Sequence, residues 1–276
     1  MNLITKSTST IKLNVQNALV YKQGYFFSLL VSVIAIIIQF IFWNALYNIN
    51  IFDSTTNTPI IADYSFRDMI TYIILTFLFN YGNTTMSVGG SIKDDILSGN
   101  LGYSLIRPYN YFYNKVLKIL SGQIIIAPIT IMLFVIVFTV FKEWVVLPGS
   151  FITIIFTILS ILLSYCITFL ISSIMGIISF WILETSSLDI IFGIVVWFLS
   201  GALFPLNFIT GFMGVLLKYL PFGYMTFFSI NIFMERIEIS SMIIDFFVGV
   251  VWVIVLTKIF RKLWDKGIKK YSSYGG

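Results

Sequence analysis

Six long, almost uninterrupted apolar runs constrain this chain of 276 residues more than any other feature. A helix needs roughly 20 mostly apolar residues to cross about 30 Å of hydrocarbon. The runs lie at about 25–47, 66–90, 116–141, 151–183, 187–206 and 241–260. They are continuously apolar rather than alternating, which argues against the strands of a membrane barrel. Pro128 falls within the third run, where a membrane helix tolerates it as a kink. The first run exceeds the apolar stretch of a signal peptide. It ends in Trp43-Asn44-Ala45-Leu46, without a small-x-small cleavage site, so we read it as retained. Only 11% of residues are charged and 58% are hydrophobic. A soluble domain carries about 25% charged residues, so a soluble enzyme is a poor fit, and disorder fails for want of charge. The expectation is an all-α membrane protein: one domain with six transmembrane helices.

The chemistry available inside those runs is narrow. The chain has no histidine, which removes the commonest general base, metal ligand and pH switch. Its one cysteine, Cys166, can form neither an internal disulfide nor a thiolate cluster. The middles of all six runs lack Asp, Glu, Lys and Arg, whereas ion-coupled carriers and proton pumps place such groups at depth. Intramembrane catalysis is poorly supported for the same reason. Gln39, Asn44, Asn80 and Asn83 are expected to hydrogen-bond between helices. The Asn83-Thr84-Thr85 sequon is embedded in the second run, out of reach of glycosylation. No Gly-x-x-x-x-Gly-Lys-Ser/Thr occurs, so the chain cannot cradle ATP phosphates itself. No cofactor and no metal is expected in it, and the energy for any transport must come from elsewhere.

Charge gives the orientation. With six crossings, both termini and the second and fourth connections share a side, and that side holds 13 of the 17 lysines and arginines. Its balance is +8 against −3 opposite, so both termini are expected in the cytoplasm of a plasma membrane. The excess of positive charge suits anionic lipid headgroups better than nucleic acid. In the leading segment 1–24, Ile11, Val15, Ala18 and Leu19 recur at helical spacing between Lys12, Asn14, Gln16 and Asn17. We read it as an amphipathic helix in the cytoplasmic interface.

Three further segments stand out. In the fourth run Ser160, Ser164, Thr168, Ser172 and Gly176 recur every four residues. This is a stripe of small side chains suited to close helix packing rather than to a substrate wall. The connection 91–115 carries Lys93-Asp94-Asp95-Ile96-Leu97-Ser98-Gly99. Gly99 suits a left-handed stop, and an apolar pattern of Leu101, Leu105 and Ile106 then ends at Arg107-Pro108. Tyr109, Tyr111, Phe112 and Tyr113 follow as headgroup-level aromatics. A short amphipathic element there could dock on a cytoplasmic partner or be a solvated loop, and chemistry alone leaves both open. Across the membrane, segment 201–240 is apolar but broken by glycine and proline, and is too short for two more spans. Re-entrant helices covered by protein fit it best.

Together these segments resemble the membrane permease subunit of ABC transporters of the ABC-2 type, in the uncharacterised or daunorubicin-like branch. Ser98-Gly99, Leu101 and Leu105-Ile106-Arg107-Pro108 are similar to a "G-x-L…LLRP" signature. Ser200-Gly201-Ala202-Leu203-Phe204-Pro205-Leu206 with Pro221-Phe222 resembles "SGxxxPL…LPF". In segment 261–276, read as a cytoplasmic tail, Leu263-Trp264, Gly267, Tyr271 and Gly275 resemble an "LW-x-x-G-x-x-x-Y-x-x-x-G" ending. Ile106 and Asn100 depart from the usual leucine and acid. The resemblance implies a bacterial exporter in which two such permeases, identical or sister subunits, are powered by two copies of a separate ATPase that binds ATP and Mg. It implies ATPase coupling through Asp94, Asp95, Ile96, Leu97, Gly99, Leu101, Leu105, Arg107 and Pro108, and an extracellular gate at Gly201, Phe204, Pro205, Pro221 and Gly223. Arg107 would pair with an acid of the ATPase or with lipid phosphate. An aromatic-rich pathway suggests an amphiphilic cargo: a drug, lipid or hydrophobic peptide. The rival classes are an ATP-independent channel or carrier, and a non-transport immunity or scaffold subunit.

Overall fold

Helices build almost the whole chain, because in lipid every backbone polar group must find its partner within the protein. The computed structural model describes residues 3–20, 22–48, 60–106, 110–182 and 186–271. Helix α1 (Leu3–Val20) packs along α6, and α2 (Lys22–Asn48) packs on α3. A two-residue hairpin, β1 (Ile60–Ile61) and β2 (Tyr64–Ser65), then leads into α3 (Phe66–Gly82). Ser65 and Asp68 form a reciprocal capping box at the start of α3.

Among the described residues four helices are long and apolar enough to cross a membrane: Phe27–Asn48, Tyr111–Val140, Phe151–Phe180 and Ile239–Lys270. They answer to the first, third, fourth and sixth runs of the sequence. Helix α6 (Tyr111–Val140) continues through Pro128, and α7 (Phe151–Ile177) ends in a 3₁₀ turn at Ile178–Phe180. The other two runs differ from their expected form. The second is interrupted: α3 stops at Gly82, a 3₁₀ turn covers Thr84–Ser87, and α4 (Val88–Leu97) resumes. The cause is Asn83, whose Oδ1 accepts from Thr85 N at 3.1 Å and whose backbone is extended. The fifth run yields only α8 (Ser186–Leu199), ended by Gly201 with φ of 76°. Its remainder joins a 3₁₀ turn (Leu206–Phe208), α9 (Gly211–Tyr219), a second turn (Gly223–Met225) and α10 (Phe227–Phe233). All seven residues of α10 are buried.

The last helix, α11 (Ile239–Lys270), overruns its expected end by ten residues. Its 32 residues extend about 48 Å at 1.5 Å each. The segment 261–270, expected as a tail, is therefore helical. Short α5 (Asn100–Ile106) hangs from α4 at the same end. Three apolar clusters fill the bundle. One lies around α3 and α10, one between α7 and α11, and one beneath the α4–α5 turn.

Candidate functional site

Two ends of the bundle carry organised polar structure. At the end with the α4–α5 turn, α4 is amphipathic and lays Ile92 and Ile96 inward against Ile177, Phe180 and Tyr111. Asp95, half-buried, sits at a junction. It accepts from Tyr111 Oη at 2.8 Å and from Lys115 Nζ at 2.7 Å, and Lys115 also donates to Ser91 Oγ at 2.7 Å and Ser91 O at 3.0 Å. Gly99 takes the left-handed conformation, φ 77°, that the sequence suggested, and the chain turns there into α5. Leu101 is fully buried, while Tyr103, Leu105 and Ile106 are 72%, 42% and 82% exposed. Ile96 and Leu101, sequence candidates for direct contact with an ATPase, thus serve the core beneath the turn. Leu97 is half-buried and Asp94 exposed. Arg107 and Pro108 lie outside the described residues.

The end of α11 closes on this turn. Tyr271 Oη donates to Gly99 O at 3.0 Å and accepts from Gly102 N at 3.3 Å, so one hydroxyl bridges both sides of the bend. Trp264 stacks on Tyr111 with ring centres 5.4 Å apart, and Gly267 lies against the face of Phe180. The tail motif Leu263-Trp264, Gly267, Tyr271 thereby has a physical reading: it fastens α11 to the α4–α5 turn. Sequence reasoning singled out the motif without its partner, because Gly99 is 172 residues away in the chain.

The stripe on α7 is buried along its length. Thr168 Oγ1 accepts from Asn83 Nδ2 at 3.3 Å. Ser172 Oγ accepts from Gly89 N at 2.9 Å and donates to Met86 O at 2.6 Å. Gly176 meets Gly89 so closely that a β-carbon on it would come 2.4 Å from Gly89 O. Farther along, Ser164 donates to Met225 O, and Ser160 turns back to Thr157 O at 2.8 Å. The carbonyl of Gly82, freed by the break, accepts from Gln123 Nε2 at 2.8 Å and Tyr165 Oη at 3.0 Å. The interruption of the second run is thus repaired by side chains of α6 and α7.

At the opposite end, Leu206 is fully buried between Gly201 and Gly223. Tyr72 Oη donates to Gly201 O at 2.5 Å, and Phe227 N to Ser200 O at 3.0 Å. Pro205 and Pro221 are buried, and Phe204 stacks on Phe208. The five candidate gate residues therefore lie in or beside one plug. Next to it Arg236 pairs with Asp68 Oδ2 at 2.8 Å and covers the Tyr64 ring at 3.7 Å, while Tyr64 Oη donates to Asn231 Oδ1 at 2.9 Å. Burial pushes the Tyr64 hydroxyl up to about 12, against the pull of Arg236. Glu235 reaches over the start of α7 and takes Gly149 N, Ser150 N and Thr153 Oγ1 at 2.9, 3.0 and 3.1 Å. The Ser150 N–H foremost, with the Thr153 hydroxyl and Gly149 N–H, holds its carboxyl below the ordinary 4.5. On α11, Trp252 Nε1 donates to Tyr219 O at 2.7 Å. The charges of these residues were visible in the sequence, but no spacing announced who pairs with whom.

Residues 33–275 match the sequence model of the family described as ABC-2 family transporter protein. The chain belongs to the ABC-2 transporter family. Among curated proteins none matches it. It is thus an ABC-2 type permease, a multi-pass membrane protein with a role in transport. In this family nucleotide binding belongs to a separate ATPase, and the permease is a transport subunit rather than an enzyme. The match leaves out all of α1 and the part of α2 up to residue 32.

Proposed function

We propose that this permease is the membrane subunit of an ATP-driven exporter of the daunorubicin-like branch, moved by ATPase subunits that grip α5. One observation supports it most directly. Tyr103, Leu105 and Ile106 stand exposed on a helix fixed at its root by Asp95, Tyr111, Lys115 and Tyr271. Apolar side chains held outward on a rigid mount suit a helix docked in a partner groove. Ile96 and Leu101 carry the load inward from there instead of touching the partner. Force on α5 reaches α4 through the Gly99 turn and α11 through Tyr271, and tilts the bundle between inward- and outward-open states.

In this reading six crossings are completed by the interrupted pair α3–α4 and by α8. Helices α9 and α10 re-enter the bilayer, the plug around Leu206 closes the outer end, and both termini lie in the cytoplasm of a bacterial plasma membrane. Two ATPases carry ATP and Mg, and a second permease, identical or sister, completes the pathway for an amphiphile. The test is reconstitution with the ATPase that co-purifies with the chain. Leu105→Asp and Ile106→Asp are expected to abolish both co-purification and the permease's stimulation of ATP hydrolysis. Undiminished stimulation in the double variant overturns the assignment.

A further inference from the structure

A cavity of about 1080 Å³ lies between α1, the break after α3, α4 and the first turns of α6. That volume reaches the upper range of sites that hold drug-sized ligands. Its wall is polar: Asn14 and Asn17 of α1 line it together with Ser91 and Asp94 of α4 and Lys115 and Lys118 of α6. The two lysines differ. Lys115 is buried and spends its charge on Asp95 and its donors on Ser91. Exposed Lys118 has a single long contact, 3.4 Å to Ser91 Oγ, and among the described residues no carboxylate lies within ion-pair distance of it. Asp94, one helical turn beyond Ser91, feels Lys115 through space but forms no salt bridge among the described residues.

The wall therefore offers an exposed cation and an exposed anion, neither in a salt bridge among the described residues, and a bed of neutral donors and acceptors. Helix α1, which forms one side, has the alternation of an interfacial helix, so the cavity sits at headgroup depth. We infer that it binds the headgroup of a zwitterionic phospholipid, with Lys118 taking the phosphate and Asp94 the amine. A phosphate oxygen is a strong acceptor for an ammonium, and each exposed charge would gain an opposite partner on the headgroup. The inference rests on the membrane placement of the chain and not on ATP coupling, so it can fail while the exporter reading stands, and the reverse.

The test is native mass spectrometry of the full-length purified chain, titrated with dioleoyl phosphatidylethanolamine, dioleoyl phosphatidylglycerol and dioleoylglycerol, with inorganic phosphate as competitor. One phosphatidylethanolamine is expected per chain, favoured over phosphatidylglycerol, with dioleoylglycerol not retained. Lys118→Glu is expected to weaken it by about tenfold or more, the loss of one charge-assisted hydrogen bond, while Lys118→Arg keeps it. Asp94→Asn is expected to erase the preference over phosphatidylglycerol, a change in selectivity that a structural role would not produce. Displacement of the lipid by inorganic phosphate alone would reassign the site to soluble phosphate-bearing solutes and overturn the lipid. Equal retention of dioleoylglycerol, or undiminished binding by Lys118→Glu, would overturn the site altogether.

Discussion

Two of the apolar runs are interrupted, one at Asn83 and one at Gly201, and the protein mends them by opposite means. At Asn83 the freed backbone groups are met by neutral polar side chains from other helices: Gln123, Tyr165 and Ser172. The Gly201 break is closed by shape. Leu206 fills the gap, the chain bends where a β-carbon would strike Phe227 and Tyr72, and Tyr72 Oη bonds to Gly201 O. Both satisfy the rule that irregular backbone at membrane depth must be covered by protein. The contrast shows that a helix break can be made tolerable by hydrogen bonding or by packing.

The contrast can be broken most severely at the seam beside the first interruption. Gly89→Ala would place a β-carbon 2.3 Å from Ser172 O, a backbone atom that cannot rotate away. The expected loss is about 3 kcal/mol, at the top of the range for overpacking, read as a lower melting temperature and poor recovery in detergent. Gly201→Ala comes next. Its new atom would meet side chains, 2.9 Å from Phe227 Cβ and 3.0 Å from Tyr72 Oη, in a left-handed conformation. About 2 kcal/mol is expected in the same assay. If it melts like the wild type, the closure is not steric. Ser172→Ala removes both bonds that hold the start of α4, at about 1 kcal/mol. An unchanged melting temperature there would mean that the seam is held by backbone contact alone.

Acid should produce the smallest effect and separate the two regions. Glu235 titrates below its ordinary value in the fold, so its contribution is complete above about pH 4.5 and is lost as pH falls through the lower, folded value. Glu235 is exposed, so the loss is small. Hydrogen exchange in residues 149–153 is expected to speed up there, while residues 83–89, held by neutral groups, stay protected. Glu235→Gln should remove the pH dependence at 149–153, and equal acid sensitivity in both stretches would refute the distinction.

What was legible in the sequence follows the same division. The helices α2, α6, α7 and α11 announce themselves, because a long apolar run in lipid has no alternative to helix. The break at Asn83 was hidden because it depends on partners remote in the chain, whereas glycine and proline from Gly201 onward announced the other. Asn83 is one polar residue in an apolar run, and what makes its break affordable is Thr168 and Ser172. The late end of α11 was hidden for the converse reason: 261–270 is rich in lysine and reads as a tail by hydropathy. Trp264 and Tyr271 hold it as helix by packing on Tyr111 and the Gly99 turn. The family resemblance drew attention to the stretch that forms the α4–α5 turn and to the one that packs around Leu206. It could not say that Leu101 faces inward, since a seven-residue helix shows too few turns for its faces to be told apart by pattern.

Helix α11 is held at two widely separated points, by Trp252 to Tyr219 O and by Tyr271 to the Gly99 turn. Nineteen residues separate them, about 28 Å of axis. A continuous rod with a handle at each end needs no relay of side chains: whatever rotates one grip rotates the other in the same instant and by the same angle. The two faces of the bilayer are then in mechanical register through a single element, and lengthening or shortening that rod by one residue would twist the grips out of phase by about 100°.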